Sequence, residues 1–281
     1  MKLLRYGPKG SEKPGLLDRD GNIRDLSAVV GDITPELLSA GRIADLSRVD
    51  VQMLPIVSGT PRIGVPMKGI GKFLGIGLNY TDHAGEVSDK PRAEPVIFTK
   101  AISCINAPND DVMLPKEPQC PDWEAELAVV IGRRARYVDV ADALSYVGAY
   151  TVVNDITDRG FQNQSGQWDK GKGCDTFGPV GPWLVTPDEV ADPQNLNLWL
   201  ELNGKRMQNG NTRHMIFTVA ELIANVSRYI TLEPGDVLTT GTPIGVGSSF
   251  RPPIYLKPGD VMRLSVDGLG VQEQHVVAFQ P

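Results

Sequence analysis

The stretch Cys120–Gly132, "CPDWEAELAVVIG", decides how this chain is read. Ala, Leu, Val and Ile run through its second half and Gly132 closes it, which predicts a β-strand. Side chains two apart on a strand share a face. Glu124 and Glu126 therefore stand side by side, just before a run that reads as buried. Like charges held that close repel each other and need a reason. On the pair alone, solvated glutamates on an exposed edge strand are the simpler reading, because charged edges protect sheets against aggregation.

Working outward, the next apolar run, "YTVVND", ends in Asp155. A side chain at a strand end can point into a cleft. Three carboxylates with no His or Cys make a hard, all-oxygen site, which suits Mg²⁺, Mn²⁺ or Ca²⁺ and not zinc. With Asp155 added, the edge-strand and metal readings stand level.

The chain has 281 residues, enough for one large domain or a main domain with a small appendage. At 41% hydrophobic it can bury a full core, and 30 glycines with 22 prolines imply many turns and a strand-rich fold. A net charge of -6 and the lack of a basic stripe give no reason to expect nucleic acid. "MKLLRYGPKG" does not read as a signal peptide, and no apolar run approaches a membrane span. Cys104, Cys120 and Cys174 form no CxxC pair. A cytoplasmic protein is the expectation.

Residues 1–70 read as a small separate unit. "GLLDRDGNIRDLS" is strand, turn, strand, and "ITPELLSAGRIADL" is a short helix opened by Thr34 and Pro35. Residues 71–281 read mainly as short strands. "DVADALSYVGAYTVV" predicts a helix capped by Asp139 that runs into a strand. Residues 161–175, "FQNQSGQWDKGKGCD", predict a loop. "NLNLWLELNGKRMQ" predicts a hairpin turning at Asn203-Gly204, and Thr218 with Glu221 predicts a capping box on "TVAELIANVSRYI".

Two further groups could carry chemistry. In "NYTDHAGE", where Thr81 or Asp82 could cap a short helix, His83 and Glu86 are three apart and would face the same way. A carboxylate beside an imidazole raises its basicity, as a general base needs, although an isolated H-x-x-E is more often a surface pair. The polar loop carries Arg159, Gln162, Lys170 and Lys172, cations that could balance acids or bind an anion; alone it reads as solvated. "GIGKFLG" misses the dinucleotide fingerprint by one place, and "GTPIGVG" lacks the Lys-Ser/Thr of a P-loop, so both read as turns.

Taken together, "GLNYTDHAGE", "PVIFTKAI", "DWEAELAVVIG", "VVNDITDRGFQ", "KGCDTFGPVGPWLV" and "GDVLTTGTPIGVG" resemble the fumarylacetoacetate hydrolase family. Six motifs in order over nearly all of residues 70–281 make the match specific, and residues 1–70 resemble the small N-terminal α/β appendage of bacterial members. The resemblance implies an α+β, strand-rich fold, a mixed β-sheet roll that is commonly dimeric. It implies Glu124, Glu126 and Asp155 as ligands of Mg²⁺ or Mn²⁺, and His83 with Glu86 as a His–Glu pair on a lid segment. Lys172 matches the lysine beside the metal, and Arg159, Gln162 and Thr242 match positions lining the substrate site. Lys100 lies in the F-x-K strand motif, with its role open.

The expected activity is hydrolysis of a C–C bond in a small anionic 2,4-dioxo acid, an acylpyruvate or a 2,4-diketo-3-deoxy sugar acid. Similar members are described as ureidoglycolate lyases, and isomerases and oxaloacetate decarboxylases use the same scaffold. A metal-stabilised binding protein is the non-enzyme alternative; the intact His–Glu pair argues against it.

Overall fold

The computed structural model describes residues 1–81 and 93–281. His83 and Glu86, and with them Asp82, lie outside the described residues. Among those described, the strands form a ten-stranded mixed sheet, a five-stranded sheet and a two-stranded ribbon. The α+β, strand-rich fold is as expected.

Strand Ala125–Ile131 lies inside the large sheet, with Val147–Asn154 antiparallel on one side and Val237–Thr239 antiparallel on the other. It is therefore no edge strand, and Glu124 and Glu126 are buried. Its unbroken apolar run has a physical cause: both faces are covered. Ala125, Leu127, Val129 and Ile131 pack into one core with Leu198, Leu200, Leu264 and Val266 of the five-stranded sheet. Ala128 and Val130 pack into a second core with Leu3, Leu16, Ile33 and Leu38 of the N-terminal segment.

That N-terminal segment extends the main sheet. Strand Lys2–Tyr6 pairs with Gly178–Val185, and Lys13–Leu17 and Ile23–Asp25 continue outward from it. Pro35 opens a 3-10 helix, Pro35–Leu38, followed by helix Ala40–Leu46.

Two expectations are corrected. The helix predicted from Asp139 is only a 3-10 turn, Ala143–Tyr146, and Asp142 at its N-cap makes no side-chain hydrogen bond. The chain has to be extended again at Val147 to join the sheet, which leaves no length for an α-helix. The predicted loop 161–175 is interrupted by short helices, Arg159–Gln162 and Asp169–Lys172. The first is nucleated by Asp158, whose carboxylate accepts the amide of Phe161. Elsewhere the turn chemistry holds. Asn197–Leu202 and Lys205–Asn211 form the hairpin, and Thr218 and Glu221 form a capping box on helix Val219–Tyr229.

Candidate metal centre and active site

Strand register brings the three carboxylates together. Asn154 pairs with Ala125, and the Asp155 amide donates to the Glu124 carbonyl at 2.8 Å, so Asp155 lies across the ladder from Glu124. Glu124, Glu126 and Asp155 each offer an oxygen within 4.8 Å of the others.

Cations surround two of the three. Lys172 Nζ lies 2.6 Å from Glu124 Oε2 and 2.5 Å from Asp155 Oδ2. Arg159 donates to Glu124 Oε1 at 2.6 Å and to Asp122 Oδ2 at 2.9 Å. Lys100, also buried, donates to Asp155 Oδ1 at 2.7 Å. Glu126 instead accepts the backbone amide of Gly241 at 2.8 Å. Gly241 has φ +92°, and a Cβ there would lie 2.8 Å from Asn79 Cβ, so only glycine brings that amide so close.

The charges follow this asymmetry. Burial pushes the Glu124 carboxyl up, but Arg159 and Lys172 outweigh it and hold it at about 2. Burial raises Glu126 well above the usual carboxylate range, and the negative charges of Asp155 and Glu124 add to this. Burial alone would lower the Lys172 ammonium, yet Asp155 and Glu124 raise it. Among the described residues, four acids (Asp122, Glu124, Glu126, Asp155) meet three cations (Lys100, Lys172, Arg159) in this cluster, and Glu126 is the acid left without a counter-ion. A hard, all-oxygen donor set with one uncompensated buried charge fits a divalent cation such as Mg²⁺ or Mn²⁺.

These groups open on a cavity of about 220 Å³ lined by Glu124, Glu126, Arg159, Gln162, Lys172 and Thr242, with Trp168 and Gly77 forming an apolar wall. Thr242 Oγ1 donates to the Ala125 carbonyl at 2.9 Å and accepts from Gln208 at 2.8 Å. Arg159 is already engaged by Asp122 and Glu124, so it orients acids as well as lining the cavity. His214 and His275 are exposed and do not line it.

One residue of this cluster escaped the sequence reading, and one was named there without a role. Asp122 is fully buried and accepts the amides of Gly247 at 2.5 Å and Ser248 at 3.0 Å as well as the Arg159 guanidinium. Its only sequence signal was its place two residues before Glu124; the strand expected over Cys120–Gly132 is in fact broken at Trp123 and Glu124, and Asp122 lies in the short strand Pro121–Asp122, paired with Thr157–Asp158. Lys100 had a motif but no stated role.

The sequence matches the family described as "Fumarylacetoacetate (FAA) hydrolase C-terminal" over residues 72–277. The chain belongs to the fumarylacetoacetate hydrolase family. A relative from Burkholderia lata, with a provisional designation as a hydrolase, is 58% identical over 277 residues and covers 98% of each chain. The solved fumarylacetoacetate hydrolase of Exiguobacterium antarcticum is 34% identical, with a TM-score of 0.89 over 99% of this chain and 100% of that one. A maleylpyruvate hydrolase from Sphingobium sp. SYK-6, in complex with manganese(II) ion and pyruvate, is 28% identical, with a TM-score of 0.84 over 100% of each chain. Membership in the fumarylacetoacetate hydrolase family places the chain among enzymes. Among the described residues, no helix is long and apolar enough to cross a membrane.

Proposed function

We propose that the chain is a divalent-metal-dependent hydrolase that cleaves a C–C bond in a small 2,4-dioxo acid of the acylpyruvate or 2,4-diketo-3-deoxy-sugar-acid type. The observation that carries this reading is the convergence of Glu124, Glu126 and Asp155, with a buried lysine beside them, next to a small cavity that Glu124, Glu126 and Lys172 line. The maleylpyruvate hydrolase relative supports it, because its structure holds manganese and pyruvate.

Glu124, Glu126 and Asp155 would hold the cation, and a bound Mg²⁺ or Mn²⁺ would supply Lewis-acid stabilisation of charge developing on the oxo-acid end of the substrate. His83, oriented by Glu86, takes a proton from water. The water oxygen bonds to the carbonyl carbon at position 4, and the bond from that carbon to the methylene carbon breaks. Its electron pair leaves as the enolate of pyruvate, which is then protonated. Lys172 supplies a positive charge where that enolate forms, and electrostatic stabilisation of this kind is usually the largest catalytic contribution. Arg159 and Gln162 line the approach, and Thr242 shapes the cavity beside Glu126. The functional unit is proposed to be a homodimer; light scattering that finds only monomer-sized particles would remove that part.

The test is a substrate panel run on purified protein with Mg²⁺ or Mn²⁺. It contains acylpyruvates, diketo-deoxy sugar acids, oxaloacetate and ureidoglycolate. Release of pyruvate with one carboxylic acid, with solvent oxygen in the acid, supports hydrolysis. Turnover confined to ureidoglycolate or oxaloacetate would replace it with a lyase or decarboxylase.

A further inference from the structure

Lys100 is a buried cation that the mechanism above leaves unused. It follows strand Val96–Thr99, and its ammonium donates to Asp155 Oδ1 at 2.7 Å, to the Lys172 carbonyl at 2.5 Å and to the Ile156 carbonyl at 3.4 Å. An ammonium has three N–H donors, so these three acceptors use all of them. Two are backbone carbonyls, which move only if the chain moves. Its side chain is 0% exposed and does not line the cavity.

Lys172, also buried, differs in its partners and in its access to the cavity. Its Nζ contacts are carboxylate oxygens of Glu124 and Asp155, both members of the proposed cation site. It lines the cavity, and its ammonium lies 4.8 Å from the centroid of the Phe98 ring. Nothing in its set of partners ties it to the backbone.

The neighbour of Lys100 adds a second tie. Thr99 Oγ1 donates to Asp169 Oδ1 at 2.8 Å. Helix Asp169–Lys172 is thus held at its first residue by Thr99 and at its last carbonyl by Lys100. One dipeptide at the end of one strand clasps both ends of the helix that carries Lys172, and it also orients Asp155.

We infer that Lys100 is a positioning residue, the permanent counter-ion of Asp155, and that Lys172 is the exchangeable cation of the pair. The inference rests on the divalent-cation reading of the three carboxylates. On cation binding Lys172 gives up its hold on Glu124 and Asp155 and becomes available to substrate. Lys100 keeps Asp155 Oδ1 and the helix end in place throughout. The division follows from the partners: a lysine with saturated, backbone-anchored donors stays, and one held only by the acids that bind the cation is released.

The experiment compares wild type, Lys100→Met and Lys172→Met. Mn²⁺ binding is measured by calorimetry on chelator-treated protein, and turnover at saturating Mn²⁺ on the acylpyruvate that wild type cleaves fastest. Lys100→Met is expected to bind Mn²⁺ about 10-fold or more weakly, as for loss of a residue that orients a ligand. Its kcat should fall, with KM within a few-fold of wild type. Lys172→Met should bind Mn²⁺ as tightly as wild type or more tightly, and lose kcat. Wild-type affinity and kcat in Lys100→Met, whatever its melting temperature, would make Lys100 a structural cation only and overturn the inference. Wild-type crystals soaked in Mn²⁺ decide the matter if Lys100→Met does not fold. Lys100 still on Asp155, with Lys172 released, supports the assignment; the opposite pattern overturns it. Wild-type protein that takes no Mn²⁺ at the three carboxylates overturns the metal reading, and this inference with it.

Discussion

The backbone amide of Gly241 donates to Glu126 Oε2 at 2.8 Å, joining two residues 115 positions apart. It leaves Glu126 buried with a neutral partner while its neighbours repel its charge. A carboxyl raised in the folded state binds its proton more tightly there than in the unfolded chain. In chelator, stability should therefore fall as pH rises from the ordinary carboxylate range, about 4.3, towards the raised value. Glu126→Gln should remove that fall and melt higher than wild type in chelator at pH 7. It should also lose Mn²⁺ affinity by more than the roughly 10–100-fold that outer partners cost. Thermal melts across pH with calorimetry check both, and unchanged Mn²⁺ affinity would reject Glu126 as a ligand.

Lys172 is buried against Glu124 and Asp155, whereas Lys170, two residues earlier, is exposed. Lys172→Met keeps length and removes charge. Its kcat should fall roughly 10²-fold or more, as for loss of a preorganised donor. Lys170→Met should stay near wild type, within about 0.5 kcal/mol in stability. Steady-state kinetics on both decide the matter; equal behaviour of the two would misplace the catalytic cation.

Gly77 faces the Trp168 ring so closely that an added Cβ would lie 2.4 Å from Cζ3. Both line the cavity, and Trp168 also packs on Phe98 with ring centroids 5.4 Å apart. Gly77→Ala should push the indole and cost about 1–3 kcal/mol, as overpacking does. KM should rise as the apolar wall moves. A melt and a KM both equal to wild type would show that the wall yields freely.

In the N-terminal segment, Asp18 accepts from Arg24 Nε at 2.7 Å and from the Asn22 amide at 2.8 Å. Burial would raise its carboxyl, but Arg24 and the amides of Asn22 and Asp20 hold it at about 2. A lowered carboxyl stabilises the fold above its unfolded value, about 3.9, and loses that contribution as pH falls through about 2. Asp18→Asn should melt lower at pH 7, because Arg24 stays buried beside a neutral partner, and its melting curve should flatten between about pH 4 and 2. Acid limbs parallel to wild type would discount the pair.

His83→Ala removes the proposed base and none of the proposed ligands. Mn²⁺ affinity should be normal and kcat lower by about 10²–10⁴-fold, the usual worth of a general base. Activity within a few-fold of wild type would make His83 a surface residue.

The sequence by itself determined what is local. Asn203-Gly204 turned a hairpin, and Thr218 with Glu221 capped a helix, because these depend on neighbours a few residues away, whereas the single strand read over Cys120–Gly132 is broken at Trp123 and Glu124 between Pro121–Asp122 and Ala125–Ile131. The ordered motifs carried the family. The short helices inside 161–175 were not legible, because their caps and ties come from contacts such as Thr99 with Asp169, 70 residues apart. Asp139 had a local capping signal, but the need to re-enter the sheet at Val147 overrode it. Which cation faces which acid was decided only by tertiary structure. Register set Asp155 beside Glu124, and strand Val96–Thr99 delivered Lys100 from 55 residues away. Burial then turned that proximity into strong pairing, since a charge removed from water is tolerable only with a partner at hydrogen-bond distance.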